Sequence, residues 1–275
     1  MEKWFIRYTI CIILILTCII LLSIRKFVEY NCKYKNCIQG NLPLKYIPKK
    51  IFQIVLSDKN DIHPKFLENI QHIKRTNPNW NYTLYDDKDI ITYLQTYYPP
   101  IILYYYNKIN PNYAPARADF FRYLLMYREG GVYLDLKSST KSPLDNIIRP
   151  DDEYILSHHT CPTQSCILQT IKGEYQQWHI ICRPNHPYLK AVIDRVLNNI
   201  ENYTVDKFGV GKLGVLKVTG PIAYTQAISP IINNYNHRLL ASSDFLDLIY
   251  NNLNVSHTNL YSKLHYSKIK EPVIK

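Results

Sequence analysis

Apolar runs and segments of helical period alternate along most of the chain. Residues 51–56 and 82–85 are short runs rich in aliphatic and aromatic side chains. Segments of helical spacing follow them, from Pro64 and from Asp86 or Asp87 respectively. Near-continuous apolar runs are typical of strands that are buried on both faces of a parallel sheet. This order of strand, helix, strand and helix predicts an α/β domain with a mostly parallel central sheet.

A helix with a core-facing stripe is predicted from Ala114. Pro115 suits the first turn, because the N–H that proline lacks is one of the donors left unpaired there. Apolar side chains between residues 120 and 127 recur at helical spacing and are expected to face the core. The same helix carries Asp119 and Arg122, which are three positions apart.

A double glycine follows that helix and precedes a short apolar strand. Gly130 and Gly131 are predicted to end the helix, since glycine enters the left-handed region without a steric penalty. The strand at 132–134 then places Asp135 at its C-terminal end, which is where ligands bind in open α/β sheets.

Simpler interpretations exist for each of these polar residues. Asp119 and Arg122 could form an ordinary surface ion pair worth a few tenths of a kcal/mol, and Asp135 could be a turn former. The helix, the glycine pair and the strand nevertheless converge on one place, with two carboxylates and a guanidinium. The pattern therefore favours a functional site.

The second half of the chain is less regular. Residues 154–157 and 177–182 are strand candidates, and a helix is predicted from His186. Trp178 is interpreted as a core residue. A sugar-stacking role is the alternative, because an indole face suits the C–H face of a sugar.

The N-terminal region has the pattern of a membrane anchor. Residues 8–24 carry no charge and are flanked by basic residues, and about 17 to 20 residues cross a hydrocarbon core of about 30 Å. No small-x-small cleavage site follows, which argues against a removed signal peptide. We predict a cytosolic tail and anchor at 1–26, a stem at 27–46 and a globular domain at 47–275.

Composition changes this picture little. Hydrophobic residues at 47% and charged residues at 20% are typical of a folded domain. The net charge of +11 raises the possibility of nucleic-acid binding. Lys and Arg are scattered, however, and no basic helix or aromatic-interleaved patch is present, so a nucleic-acid partner is not expected. The sequence indicates no oligomeric state.

Two motifs carry a resemblance to a known family. The order Ala-Arg-Ala-Asp-x-x-Arg at 116–122, followed by an apolar helix and Gly-Gly-Val-Tyr-Leu-Asp at 130–135, resembles the sugar-binding region of DXD glycosyltransferases. The most similar group is the family 32-like initiating mannosyltransferases and capsular or inositol-ceramide sugar transferases. The resemblance implies a GT-A type domain that moves a hexose from a nucleotide-sugar donor to a glycan or glycolipid hydroxyl, with retention of configuration.

The resemblance also implies roles for individual residues. Asp119 and Arg122 match the pair that holds the ribose and diphosphate of the donor, and Asp135 matches the first Asp of the DXD motif. These three residues are the predicted catalytic set. Further donor-binding residues are predicted on the same basis, and they are Gln53, Tyr133, Lys137, Thr219, Gly220 and His265.

Lys137 replaces the second Asp of the DXD motif, so the metal requirement is open. In one alternative its ammonium neutralises the diphosphate directly. In the other it points away, and Asp135, together with His265 and the donor diphosphate, holds Mn²⁺ or Mg²⁺. Residues two apart on a strand share a face, and the sequence favours an extended chain from Asp135 over a turn. We therefore predict weak metal dependence, with Lys137 facing the site.

Localisation and activity complete the expectations. The resemblance and the mass of chain after the anchor favour a single-pass type II protein with a lumenal catalytic domain, in the Golgi or another secretory-pathway membrane. The alternative to an enzyme is a catalytically inactive nucleotide-sugar or glycan-binding membrane protein, which the change at Lys137 suggests.

Overall fold

The computed structural model describes residues 44–158, 173–242, 246–253 and 265–275, together with Leu16. The predicted anchor, apart from Leu16, and the stem up to residue 43 lie outside these ranges. Among the described residues, no helix is both long and apolar enough to cross a bilayer. The chain divides into two compact units, Met1–Gln39 and Gly40–Lys275, and the elements named below all belong to the second.

Strands and helices alternate through the first half of this unit, as the pattern predicts. The strands are β1 (Lys50–Ile54), β2 (Asn81–Tyr85), β3 (Gly131–Leu134), β4 (Ser139–Thr140), β5 (Tyr154–Ser157), β6 (His179–Cys182), β7 (Arg238–Leu240) and β8 (Leu248–Ile249). The helices are α1 (Pro64–Thr76), α2 (Asp87–Tyr97), α3 (Pro100–Lys108), α4 (Ala114–Glu129), α5 (Leu144–Ile147), α6 (Pro187–Glu201), α7 (Val205–Phe208), α8 (Gly211–Val218) and α9 (Pro221–Ile228). Short 3₁₀ helices cover Ser229–Asn234 and Tyr266–Lys268.

Six strands form the main sheet in the order β2-β1-β3-β6-β5-β7. β1 is parallel to β2 and β3, β5 is parallel to β7, and β6 runs antiparallel to its neighbours β3 and β5. Five of the six strands therefore point the same way, which confirms the predicted mostly parallel sheet. We call the end at which these five strands finish the carboxyl edge, and the opposite end the amino edge.

The helix α4 lies at the centre of the unit. Its side chains from Ala118 to Tyr127 are all buried, because the helix is enclosed by β3, α6 and α8. The sequence predicted a core-facing stripe, and the helix is instead buried almost all round. Asp119 and Arg122 are thus buried as well, which excludes a surface ion pair.

The double glycine acts as predicted and also makes room for its neighbours. The φ angles of Gly130 and Gly131 are 63° and 97°, in the region that favours glycine. A Cβ atom on Gly130 would lie 2.6 Å from the Pro184 ring, and one on Gly131 would lie 2.6 Å from the Lys50 carbonyl oxygen. The close approach of β3 to β1 therefore requires glycine.

One face of the sheet packs on an aliphatic cluster that includes Ile51, Val132 and Ile181, with Ile73 of α1. Trp178 belongs to this cluster, so its interpretation as a core residue is confirmed. The pattern did not predict α3, α5, α7 or α8. The helices α5 and α7 have four residues each, which is too short for a helical period to show.

Candidate functional site

The helix α4 and the strand β3 bring three charged side chains together at the carboxyl edge. Arg122 Nη2 lies 3.0 Å from Asp119 Oδ1, and Arg122 Nη1 lies 3.1 Å from Asp135 Oδ1. The Arg122 and Asp119 side chains are 7% and 4% exposed, whereas that of Asp135 is 26% exposed. We call this set of three residues the arginine bridge. It joins a buried carboxylate to one that reaches solvent.

Asp119 has further hydrogen-bond partners from distant elements. The Thr219 hydroxyl donates to Asp119 Oδ2 at 3.0 Å, and the Gln177 amide donates to Oδ1 at 3.2 Å. Burial raises the pKa of Asp119 to about 6, against the lowering effects of Arg122, Thr219 and Gln177. The carboxylate is therefore well bonded but close to protonation at mildly acidic pH.

Arg122 is held in one orientation by contacts on several sides. Its Nη1 also donates to the Gln177 carbonyl at 3.0 Å, and its guanidinium carbon lies 4.7 Å from the Tyr133 ring centroid. Burial alone would lower the pKa of Arg122, but Tyr133, Asp135 and Asp119 raise it above its ordinary value. The site thus keeps a fixed positive charge.

Tyr133 contacts the bridge through its hydroxyl as well as its ring. The hydroxyl donates to Asp135 Oδ1 at 3.0 Å. Because Tyr133 and Asp135 lie on the same side of the chain end, this bond orients the exposed carboxylate. The predicted position of Tyr133 within the site agrees with this geometry.

Gln177 and Tyr123 belong to the same network, and the sequence analysis did not select them. The Tyr123 hydroxyl donates to the Gln177 side-chain oxygen and to the Thr219 carbonyl, the latter at 2.8 Å. Gln177 lies just before β6, and β6 pairs with β3. The position of Gln177 at a strand end was a possible signal for a site residue. That signal could be used only if the pairing of β6 with β3 were known, and the order of elements in the chain does not reveal this pairing.

Gln53 lies beneath Asp135 and is fully buried. Its Nε2 donates to the Asp135 carbonyl at 3.0 Å, and its Oε1 accepts from the Tyr82 hydroxyl at 2.8 Å. Both ends of the amide are bonded within the chain. Gln53 therefore positions the Asp135 backbone, which differs from the predicted direct contact with a donor.

Thr219 and Gly220 connect α8 and α9 beside the bridge. Gly220 precedes α9, and a Cβ atom on it would lie 2.8 Å from the Leu216 Cα. Glycine thus permits the tight junction that presents Thr219 to Asp119. Thr219 contacts the site through the hydrogen bond from its hydroxyl to Asp119. Gly220 contributes by packing its backbone closely against Leu216.

The chain turns directly after Asp135, so the predicted extended continuation is wrong. The Ser138 N–H donates to the Asp135 carbonyl at 2.8 Å, which closes a turn over these four residues. The buried Asn69 amide on α1 donates to the carbonyls of Leu136 and Ser138 at 3.1 and 2.9 Å. Asn69 satisfies two carbonyls that would otherwise lack buried partners, and strand pairing begins only at Ser139.

Lys137 is buried in this turn rather than aligned with Asp135 on a strand face. Its Nζ lies 3.9 Å from the Tyr250 ring centroid, and its carbonyl accepts the Asn252 N–H at 2.9 Å. Burial lowers the pKa of Lys137, while the nearby Asp135 opposes that shift. The ammonium group thus lies close to Asp135 and against an aromatic ring.

The C-terminal segment contains His265 and Tyr266. Burial raises the pKa of Tyr266 to about 12, and Asp119, Tyr250 and Asp135 raise it by smaller amounts. The Nδ1 of His265 lies 2.7 Å from the Ser267 hydroxyl. The described hydrogen bonds of His265 are therefore to its own short helix.

The donor set around Asp135 does not fit a divalent metal site built by the protein alone. The Asp135 Oδ1 already accepts from Arg122 and Tyr133, and Lys137 stands where a second carboxylate would be expected. Across the described ranges, no group of three or more His, Cys, Asp or Glu side chains is placed to hold a metal ion.

Comparisons with known proteins agree with the predicted resemblance. Residues 64–155 match the family described as "Glycosyltransferase sugar-binding region containing DXD motif". The chain is 26% identical over 220 residues to an initiation-specific alpha-1,6-mannosyltransferase of Candida albicans, which covers 69% of this chain and 54% of that protein. It is 24% identical over 180 residues to the mannosyl phosphorylinositol ceramide synthase CSH1 of Saccharomyces cerevisiae, covering 66% and 42%.

A solved structure supports the fold. The glycosyltransferase PaToxG superposes with a TM-score of 0.52 over 78% of this chain and 79% of its own, at 18% identity. The architecture is therefore a GT-A-like glycosyltransferase fold. The chain spans about half the length of the curated relatives it matches. These matches confirm the resemblance to DXD glycosyltransferases that the motifs predicted.

Proposed function

We propose that residues 47–275 form the catalytic domain of a glycosyltransferase. It would move a hexose from a nucleotide-sugar donor to a hydroxyl of a glycan or glycolipid, with retention of configuration. The observation that carries this proposal is the arginine bridge. A fixed guanidinium lies between a buried and a partly exposed carboxylate at the carboxyl edge of the sheet, where such folds bind ligands.

The residues of the bridge suit the chemistry of sugar transfer. Departure of a nucleoside diphosphate leaves negative charge, and fixed cations stabilise that charge without reorganisation. Arg122 and the ammonium of Lys137 provide two cations near Asp135. Asp119 and Asp135 provide carboxylate oxygens that accept hydrogen bonds from donor hydroxyl groups.

Weak dependence on Mn²⁺ or Mg²⁺ is part of the proposal. Lys137 places a positive charge close to Asp135, and this charge would act on the diphosphate in place of part of a metal's charge. The ammonium lies against Tyr250, and Lys137 belongs to the turn that begins at Asp135. No nucleic-acid partner is proposed.

The sequence and the relatives together support a proposal for localisation. We propose a type II protein anchored through residues 8–24, with residues 47–275 in the lumen of the Golgi or another secretory compartment. The relatives named above are a mannosyltransferase and a ceramide-modifying synthase, which is compatible with an acceptor that is a glycan or a glycolipid.

A panel of nucleotide-sugars tests the proposal. Each is added to the purified domain, and thermal unfolding and donor hydrolysis without acceptor are recorded. A true donor should raise the melting temperature, because ligand binding to the folded state stabilises it, and it should be hydrolysed slowly. The Asp135→Asn variant is the control and should lose hydrolysis.

The alternative of an inactive binder predicts a different outcome. Stabilisation by one nucleotide-sugar, without hydrolysis or transfer by the wild type, would favour a binding protein, as the change at Lys137 suggests. Absence of stabilisation by any member of the panel would contradict both functions.

A further inference from the structure

Tyr250 is an exposed aromatic residue held rigidly beside the site. It follows β8, whose Ile249 pairs with Ser139 of β4. The Tyr250 carbonyl accepts the Ser138 hydroxyl at 2.7 Å, which ties it to the turn after Asp135. The residue is 51% exposed, while burial raises the pKa of its hydroxyl to about 12. The Tyr250 side chain is therefore partly presented to solvent and partly enclosed.

The neighbours of Tyr250 place it next to Asp135. Lys137 Nζ lies 3.9 Å from its ring centroid, and the Trp178 ring centroid lies 5.3 Å away. The Trp178 carbonyl accepts the Asp135 N–H at 2.8 Å. Trp178 therefore contacts both Tyr250 and Asp135, and Lys137, which contacts Tyr250, lies two residues after Asp135 in the chain.

These contacts divide the surface of the Tyr250 ring. Lys137 lies over one face, and Trp178, which is buried in the core, packs at a tilt of 56°. About half of the residue's surface remains exposed beside these contacts. Aromatic faces bind the C–H faces of sugar rings, while hydroxyl groups at the sugar's rim bond to water and polar side chains.

We propose that Tyr250 is the stacking platform of an acceptor subsite, and that its ligand is a hexose ring of the acceptor glycan. This inference rests on the proposed function. The acceptor is favoured over the donor because Asp119 and Arg122, which would bind the donor, are buried. Tyr250 instead lies on the solvent-exposed side of the turn.

Substitutions at Tyr250 test the platform. The Tyr250→Phe and Tyr250→Trp variants keep a flat ring and should hold the acceptor KM within about threefold of wild type. The Tyr250→Leu variant covers Lys137 but lacks a flat face, and Tyr250→Ala lacks both properties. We expect the acceptor KM to rise at least about tenfold in both, as for a lost stacking contact of about 1.4 kcal/mol.

The measurements use the donor identified by the panel and disaccharides of mannose, glucose and galactose as acceptor probes. Donor hydrolysis without acceptor and nucleotide affinity should stay within twofold in the Phe, Trp and Leu variants, which keep Lys137 covered. Tyr104→Ala is the matched control, because Tyr104 is also 51% exposed and has the Lys108 ammonium 5.0 Å from its ring. This control should leave the acceptor KM unchanged.

Two outcomes would overturn the inference. One is an acceptor KM for Tyr250→Leu within twofold of wild type, even if thermal stability falls. The other is a tenfold loss of nucleotide affinity in that variant, which would assign Tyr250 to the donor. Failure of the proposed function is distinguishable, since the wild type itself would then show neither hydrolysis nor transfer.

Discussion

Two arginine–aspartate clusters lie at opposite edges of the main sheet. At the carboxyl edge, Arg122 makes one contact to Asp119 and one to Asp135. At the amino edge, before β5 and at the start of β7, Arg238 binds both oxygens of Asp152, with Nε–Oδ1 at 2.9 Å and Nη2–Oδ2 at 2.6 Å. The same residue types therefore form two different arrangements.

The cluster at the amino edge is closed on itself. Asp152 also accepts the Arg149 N–H at 2.8 Å, and Arg238 donates to the Ile147 carbonyl at 2.7 Å. A cavity of about 360 Å³ lies beside this cluster, yet the guanidinium and the carboxylate there satisfy each other.

The arginine bridge is open by comparison. Its carboxylates share their bonds among Thr219, Gln177 and Tyr133 as well as Arg122, and one carboxylate remains partly exposed. An Arg–Asp contact by itself does not distinguish a site from a structural pair. What distinguishes them is a fixed charge with bonding capacity directed to solvent.

The largest effect is expected at Asp119. Asp119→Ala leaves Arg122 buried with one carboxylate, and breaking a buried pair costs about 3–5 kcal/mol of unfolding free energy. Transfer should also fall by several kcal/mol in transition-state terms. Denaturant unfolding and kcat/KM measure the two effects.

A surface pair supplies the control for Asp119. Lys190 and Asp194 are four residues apart on α6, and Asp194 is exposed. Asp194→Ala should change the unfolding free energy by no more than about 0.5 kcal/mol. Equal losses in the Asp119 and Asp194 variants would remove the distinction between a buried bridge and a surface pair.

The next prediction compares Asp135→Asn at the carboxyl edge with Asp152→Asn at the amino edge. Asp135→Asn should reduce transfer at least about 100-fold, as for loss of a charged group that acts in the transition state. Asp152→Asn should lower stability but leave kcat/KM per folded molecule unchanged. If Asp152→Asn instead abolishes transfer in a folded protein, the site lies at the amino edge.

Lys137 is expected to have a smaller but diagnostic effect. Wild-type transfer should change less than about twofold in EDTA, and Lys137→Ala should lose about tenfold, since one cation near the diphosphate is removed. Lys137→Asp restores a second carboxylate and should gain activity from added Mn²⁺. Complete loss of wild-type activity in EDTA, with no cost from Lys137→Ala, would make Lys137 a bystander.

The last effect concerns the pH dependence of stability. The pKa of Asp119 is raised from 3.8 to about 6 in the folded protein, so the folded state binds that proton more tightly than the unfolded state. Its contribution to the unfolding free energy therefore falls as pH rises from about 4 to about 6, by at most about 1.4 kcal/mol per pH unit. When denaturant unfolding is measured across this range, the unfolding free energy of Asp119→Asn should fall less steeply with pH than that of the wild type. Equal slopes in the two proteins would contradict the raised pKa of Asp119.

Local signals in the sequence were sufficient for the first half of the domain. Apolar runs and helical spacing predicted β1, α1, β2 and α4 within a residue or two of their observed ends, because each element is specified by side chains close together in the chain. The glycines at 130 and 131 ended α4 for the same reason. The pairing of Asp119 with Arg122 followed from their spacing, and their convergence with Asp135 from the order of helix and strand.

The tertiary structure alone decided the conformation after Asp135 and the walls of the site. The turn depends on Asn69, which is 67 and 69 residues away in the chain from the two carbonyls that it satisfies. Local sequence propensity cannot indicate so distant a hydrogen-bond donor. Gln177 and Tyr250 enter through antiparallel pairing of β6 with β3 and of β8 with β4. Such partners are determined by burial and hydrogen bonding across the fold and not by neighbouring residues in the chain. The reason is that buried polar groups in folded proteins form hydrogen bonds with whichever partner the tertiary structure brings near.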